Sequence, residues 1–184
     1  IRFCQGKNKT SVLFSYFFVL LLFYTMHNPI TGEQQQGLAY SSEPFLQFKR
    51  YGGNPNITNS LDSPDYKKDF RDPKVVKNPV LGGYTMVLAA GEKIDFYHSK
   101  DLFDWKYTGD FSPTEHGARG LCECPDLMIF DMEDGIKKAV LSMSLIITQP
   151  DGSEGHIMPY FVGSFDGEKF VATQEFDIDN DLLD

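Results

Sequence analysis

Three segments of the 184-residue chain repeat one pattern. Ala39-Tyr40-Ser41-Ser42 leads to Phe48-Lys49, Phe96-Tyr97-His98-Ser99 leads to Trp105-Lys106, and Phe161-Val162-Gly163-Ser164 leads to Phe170-Val171. In each, an aromatic follows a serine by six residues across an acid-containing turn. This is the pattern of a hairpin whose returning strand buries an aromatic. The serines stand 57 and 65 residues apart, a span that suits a four-stranded propeller blade with generous loops. An antiparallel sandwich with accidental similarity is the alternative that the repeat alone leaves open.

The remainder agrees with an all-β chain. Strand-like runs occur at Val19–Thr25, Gly37–Ser41, Tyr84–Ala89, Ile94–His98, Leu127–Phe130, Ala139–Ile147, Ile157–Gly163 and Lys169–Thr173. Turn chemistry separates them at Asn54-Pro55, Asn78-Pro79, Gly82-Gly83, Asp151-Gly152 and Asp166-Gly167. No stretch sustains a 3.6-residue apolar period. Lys7 and Lys9 ahead of the apolar run Val12–Tyr24 resemble the start of a signal peptide, but no small-residue cleavage site follows, and a buried strand over Val19–Thr25 is the reading adopted.

Composition sets the outer bounds. With 41% hydrophobic and 14% aromatic residues the chain has ample material for a packed core, which excludes a disordered chain. Twenty-six acidic against 17 basic side chains give a formal charge of −9, a balance that argues against nucleic acid as a partner. No run of about 18 apolar residues is present, so no membrane span is expected. Cys4, Cys122 and Cys124 are too few for a disulfide scaffold. The ends suggest a chain interrupted mid-domain: it starts at Ile1, residues 1–32 hold three basic residues and no acid, and Gln174–Asp184 holds five acids and no base. Within that tail Phe176 and Ile178 alternate with Asp177 and Asp179, as a half-buried strand would. The expected division is an unmatched extension over residues 1–18 and a partial β domain over 19–184.

Two compact polar motifs precede the last two hairpins, Phe70-Arg71-Asp72-Pro73-Lys74-Val75 and Glu123-Cys124-Pro125-Asp126-Leu127. Each sets charged residues beside a proline that cannot donate into a sheet ladder, the signature of a strand entering near a pocket mouth. A carboxylate steadied by a guanidinium, as in Arg71-Asp72, can accept hydrogen bonds from sugar hydroxyls. A Glu between Cys122 and Cys124 is expected to be partly desolvated, which raises a carboxyl pKa toward the range of a general acid. The competing reading is a surface ion pair and a capping Glu. Cys122-Glu123-Cys124 with His116 lacks the ligand spacing of a zinc site, and no phosphate loop or nucleophile elbow is present. Asn8-Lys9-Thr10 and Asn56-Ile57-Thr58 match the short glycosylation acceptor pattern.

At these two motifs the chain resembles glycoside hydrolase family 32, the invertases, inulinases and levanases. The flanks Phe23-Tyr24-Thr25, Gln35-Gln36-Gly37-Leu38-Ala39-Tyr40-Ser41, Met86-Val87-Leu88-Ala89-Ala90-Gly91 and Tyr160-Phe161-Val162-Gly163-Ser164-Phe165-Asp166-Gly167 resemble family segments in family order. The resemblance covers about residues 19–180. It implies a five-bladed β-propeller, of which two to three blades are present. It implies Glu123 as general acid/base, Asp72 as holder of fructosyl hydroxyls and transition-state stabiliser, Arg71 as a substrate contact, and Cys124 and Asp126 as supporting neighbours.

The family's third acid, the nucleophile, lies in an Asn-Asp-Pro-Asn motif early in the first blade. Here no Asp or Glu precedes Glu33, and Gly53-Asn54-Pro55-Asn56 echoes the motif without its acid. Cys122 stands where the family often has an aromatic, and Phe48 where it has Trp or Phe. The implied substrate is sucrose, a fructo-oligosaccharide or fructan, with no metal or organic cofactor because carboxylates carry the reaction. The readings are a fragment of a retaining fructosidase that lacks its nucleophile, a non-catalytic fructoside-binding relative, or a fructosyltransferase. Secretion suits a parent acting on polymeric fructan. Incomplete blades would leave apolar faces and strand edges open, so the chain alone is expected to be unstable or aggregation-prone.

Overall fold

The computed structural model describes residues 19–42, 47–59, 68–133, 137–149, 151–173 and 175–177. The expectations for residues 1–18 and for Ile178 onward lie outside them. The described residues form three antiparallel sheets. The first orders β1 (Leu20–His27), β2 (Gln34–Ser41) and β3 (Lys49–Arg50); the second orders β4 (Phe70–Lys77), β5 (Tyr84–Ala90), β6 (Lys93–Ser99) and β7 (Lys106–Phe111). The third holds β8 (Leu121–Asp131), β9 (Lys137–Thr148), β10 (Glu154–Ile157), β11 (Tyr160–Phe165) and β12 (Phe170–Ala172).

These are up-and-down meanders of blade size, a partial β-propeller. In the third sheet β10 and β11 share one edge of β9, pairing with Leu145–Thr148 and Ala139–Ser142 in turn. The sequence reads Ile157–Gly163 as one run. It is interrupted at Met158-Pro159, because Pro159 has no N–H for the ladder and contributes only its carbonyl, to Met143 N at 3.2 Å.

The repeat seen in the sequence is a hairpin in all three sheets. Tyr40 pairs with Lys49, His98 with Lys106 and Ser164 with Val171. Superposing these hairpins makes β2, β6 and β11 equivalent, and therefore β1, β5 and β9 equivalent. On that register the first sheet has, among the described residues, no counterpart of β4 and β8. The aromatic is buried only where a neighbouring sheet covers it: Phe170 is buried and Trp105 is half-buried against Phe23, whereas Phe48 is 43% exposed.

Two apolar clusters lie between sheets. Val87, Ala89, Ile94, Phe96 and Phe111 of the second sheet pack on Cys122, Leu127, Leu141, Met143, Leu145 and Phe161 of the third. Phe70, Met86, Leu88 and Tyr97 of the second pack on Ile57, with Phe23 of β1 alongside. Sheet thus stacks on sheet, and β5 is fully buried on both faces from Met86 to Ala89, which is why it reads as a continuous apolar run rather than an alternating one. The far side of the third sheet leaves Met128, Phe130, Met158 and Val171 exposed, the apolar face expected of an incomplete ring.

Turns and polar latches fix how the sheets meet. Asn78 is buried; its amide donates to Thr85 Oγ1 at 3.0 Å and to Gly167 O at 2.7 Å, joining the second sheet to the Asp166-Gly167 turn of the third. Gln36 is fully buried and donates to Phe70 O at 2.7 Å, while Gln34 Oε1 accepts Phe70 N–H at 3.0 Å. Both backbone groups of the first residue of β4 are therefore held by side chains of β2. The Asn54 amide bonds both Leu38 N and Leu38 O, taking the place of a backbone on the outer edge of β2. Gly53-Asn54-Pro55-Asn56 is thus an edge brace, on the side of β2 away from β1. Asn56 gives its amide to Phe103 O at 2.7 Å.

Candidate active site

Both polar motifs lie in β4 and β8, and both are β-bulges of one design. Arg71 pairs with Ala89 and Lys74 with Val87, so Asp72 and Pro73 together oppose Leu88. Glu123 pairs with Ser144 and Asp126 with Ser142, so Cys124 and Pro125 together oppose Met143. The first bulge residue is left-handed in each case, Asp72 at φ 62° and Cys124 at φ 46°. That region is disfavoured for a residue with a Cβ, and it re-aims the side chain while the strand continues. The prolines fall at the bulge, where the ladder is already interrupted and a missing N–H leaves no gap.

The two bulges face each other across adjacent sheets, and equivalent positions pair. Arg71 Nη2 donates to Glu123 Oε1 at 3.0 Å. Asp72 Oδ2 accepts the backbone N–H of Cys124 at 2.9 Å. Lys74 Nζ donates to Asp126 Oδ2 at 2.8 Å. Arg71 also donates to Asp69 at 2.5 Å and holds Nε 3.9 Å from Asp72 Oδ2, so one guanidinium stands among three carboxylates. Burial opposes its charge, but the bonds to Asp69 and Glu123 outweigh that and raise its pKa above the ordinary arginine value. Arg71 is the least exposed of the group, at 15%, against 28% for Glu123 and 32% for Asp72. Its guanidinium is bonded to the carboxylates, whose side chains are the more open to solvent.

Asp72 has a support from the first sheet. Its backbone N–H donates to Thr25 Oγ1 at 3.1 Å; Thr25 Oγ1 donates to Gln36 Oε1 at 3.3 Å; and the Gln36 amide returns to Phe70 O. This loop of hydrogen bonds pins the bulge to β1 and β2. Sequence reasoning missed Gln34 and Asp69, and took Thr25 and Gln36 only as flanks. Two glutamines spaced by two residues lie on one face of a strand, and that spacing was the available signal.

Two expectations are corrected. The cysteines do not enclose Glu123: residues two apart share a face of a regular strand, but the left-handed bulge at Cys124 re-aims its side chain, so Cys122 is buried in the inter-sheet core while Cys124 is exposed. Glu123 is instead a partly exposed carboxylate in an ion pair. Asp126 is likewise a rim residue, paired with Lys74. Cys124 Sγ lies 3.6 Å from Asp72 Oδ2, and partial burial followed by that carboxylate raises the thiol pKa. Cys124 is therefore a neutral thiol beside Asp72. Burial, then the Glu92 carboxylate, pushes Cys122 up to about 12.

The arrangement presents two carboxylates on adjacent innermost strands, fixed by one guanidinium and one backbone N–H, at a surface made by the starts of β4 and β8. Such a pair can accept hydrogen bonds from vicinal hydroxyls and exchange a proton with a bound oxygen. Among the described residues no group of His, Cys, Asp and Glu could hold a metal ion.

Comparison with known proteins covers most of the chain. The family model for the glycosyl hydrolases family 32 N-terminal domain matches residues 4–182. The levanbiose-producing levanase of Geobacillus stearothermophilus is 41% identical over 142 residues, which cover 77% of this chain and 33% of that protein. The invertase of Schizosaccharomyces pombe is 35% identical over 157 residues, covering 83% of this chain and 25% of that protein. Among solved structures, the fructofuranosidase of Schwanniomyces occidentalis complexed with fructose aligns with a TM-score of 0.69 at 32% identity, covering 86% of this chain and 30% of that one. The exo-inulinase of Aspergillus awamori aligns at 0.72 and 28% identity, covering 90% and 34%. The chain spans a third or less of the length of these curated relatives.

Proposed function

This chain belongs to glycosyl hydrolase family 32, and on that premise we propose that it carries the acid/base part of a retaining β-fructofuranosidase site. Glu123 is the general acid that protonates the leaving glycosidic oxygen and then, as carboxylate, activates the acceptor water. Asp72 accepts hydrogen bonds from hydroxyls of the fructosyl ring and steadies the oxocarbenium-like charge. Arg71 holds Glu123 in place and contacts substrate at its open edge. The observation that carries this reading is the facing pair of bulges. Three residues of one motif bond their equivalents in the other, and the Asp72 and Glu123 side chains stay partly exposed, at 32% and 28%, beside the more enclosed Arg71.

Double displacement needs a carboxylate nucleophile across the sugar from the acid/base. In the hairpin register, the place equivalent to β4 and β8 in the first sheet lies beyond the edge of β1 that no other described strand pairs with. The nucleophile is therefore assigned to an innermost strand of the first blade, on chain upstream of β1, and the 184 residues alone are expected not to hydrolyse fructosides. Sucrose, levan and inulin are the substrates to test, following what the names of the relatives state.

The experiment compares this chain with one extended by its own upstream and downstream coding sequence, assayed for release of fructose. Activity confined to the extended chain is expected, falling about 10²- to 10⁴-fold in Glu123→Gln. An extended, folded protein that binds fructosides without turnover would sink the enzyme reading and leave a sugar-binding relative. Activity that survives Glu123→Gln unchanged would remove Glu123 from its role.

A further inference from the structure

We propose that Asp69 is a positioning residue for Glu123: acting through Arg71, it balances the guanidinium charge so that Glu123 can carry its proton, and it holds the guanidinium still through both steps of the reaction. This rests on the assignment of Glu123 as the acid that protonates the leaving oxygen.

Asp69 stands immediately before β4, and its backbone is tied to the second sheet. Its carbonyl accepts Gly91 N–H at 2.7 Å, and Gly91 O in turn accepts Cys122 N–H at 2.8 Å. Gly91 thus joins the start of β4 to the start of β8, and it does so at φ 67°, where a side chain is disfavoured. From these two anchored starts, side chains reach one guanidinium. Asp69 Oδ1 accepts Arg71 Nη1 at 2.5 Å, and Glu123 Oε1 accepts Nη2 at 3.0 Å. Nη1 also donates to Lys68 O at 3.3 Å. The two carboxylates therefore hold separate nitrogens of a planar group whose donor directions are fixed.

Charge decides what Asp69 adds. A guanidinium bonded to Glu123 alone favours the ionised carboxyl, the wrong form for protonating a leaving oxygen. With Asp69 on Nη1, the cation is already balanced. Ionising Glu123 then adds a second negative charge to a neutral pair instead of neutralising a lone positive one.

The other groups around the guanidinium do not take this part. Asp72 Oδ2 lies 3.9 Å from Nε and is bonded to Cys124 N–H. Lys74 is bonded to Asp126. The Glu92 carboxylate of the β5–β6 turn acts on Cys122, and Cys124 is a neutral thiol. Thr25 and Gln36, which meet the bulge from the first sheet, carry no charge.

Asp69 also steadies the geometry. Glu123 gives up its proton and regains it in each turnover, and it accepts from Nη2 more weakly while protonated. Asp69 keeps its charge throughout, so its bond to Nη1 fixes Arg71 in both states.

The test is the pH dependence of kcat/KM in the chain extended by its own upstream and downstream coding sequence, with the best substrate among sucrose, levan and inulin. The group that must be protonated sets the alkaline limb of that profile. Asp69→Asn keeps the size and removes the charge. It is expected to move the alkaline limb down by about one pH unit, a loss of about tenfold above the limb, and to leave the acid limb in place. With p-nitrophenyl β-fructofuranoside, whose leaving oxygen needs little help from an acid, the same variant is expected to lose less than about twofold. Asp69→Glu restores the carboxylate and is expected to return the limb toward that of the parent. Asp69→Ser removes the charge, keeps the carbonyl that Gly91 holds, and carries the same expectation if Asp69→Asn does not fold. An unmoved alkaline limb in a folded variant, or an equal loss on both substrates, overturns the role of Asp69 alone. Activity that survives Glu123→Gln, or an extended folded chain without turnover, overturns the assignment of Glu123 and this role together.

Discussion

Replacing Asp95 by Asn is expected to stabilise the fold, and to do so far more at pH 8 than at pH 4.5. Asp95 sits mid-strand in β6 and is only 6% exposed. It pairs directly across the sheet with Asp110 of β7, and like charges in that position repel. The groups that could relieve it serve its partner: Lys93 Nζ and the Tyr107 hydroxyl both bond Asp110, at 3.3 and 3.0 Å. Asp95 keeps only the Tyr97 hydroxyl, at 3.5 Å. Burial first, and the Asp110 carboxylate second, raise its pKa to about 7.

The sign follows from linkage. Between the unfolded value near 3.8 and the folded value near 7, the native state binds the proton and the unfolded state does not, so stability falls as pH rises through that window. At about 1.4 kcal/mol per pKa unit, the burden carried by Asp95 is about 1 kcal/mol at pH 4.5 and about 4 kcal/mol at pH 8. The second figure is an upper bound, because the Asn amide also leaves polar atoms buried. Urea unfolding followed by the fluorescence of Trp105, the single tryptophan, reads the difference between variant and parent. Trp105 packs against Phe23 on the same side of the second sheet, so it reports on the sheet contact in question. A variant whose advantage is the same at both pH values would refute the argument from burial and Asp110. Asp110→Asn removes only the second of the two causes and should give a smaller gain with the same pH trend.

Thiol labelling at pH 8 with peptide-level mass spectrometry should leave Cys122 unmodified in the folded chain and label Cys124 more slowly than in the unfolded chain; Asp72→Asn should speed Cys124, and no change there would detach the thiol from that carboxylate. Gln36→Leu should destabilise the chain by about 1–3 kcal/mol despite adding apolar surface, because Phe70 O and Thr25 lose their buried partner; an unchanged urea midpoint would show that the latch between β2 and β4 contributes nothing.

The hairpin repeat was legible because its signal is local. A serine, an acidic turn and a returning aromatic follow one another along the chain, and turn chemistry needs no distant partner. The apolar runs of β5 and β9 were legible for a similar reason, since strands buried on both faces announce themselves by composition. The innermost strands were harder. Read as β-strands, Phe70–Lys77 and the first half of Leu121–Asp131 lack alternation, because a bulge adds one residue and flips the faces after it. Their charges and prolines, which marked them as motifs, are the features that hid them as strands.

By itself, then, the sequence determined the class of fold, the blade-length repeat, the family and the acids worth watching. It did so through residue types whose preferences act within a turn or a strand. Only the tertiary structure decided that Arg71 reaches Glu123 rather than standing open beside Asp72, that Asp72 is held by a backbone N–H 52 residues away, and that Cys122 and Cys124 part company to opposite faces. Those outcomes depend on two bulges meeting across separate sheets. The contact is set by how the sheets stack, and by buried glutamines with no local reason to be there.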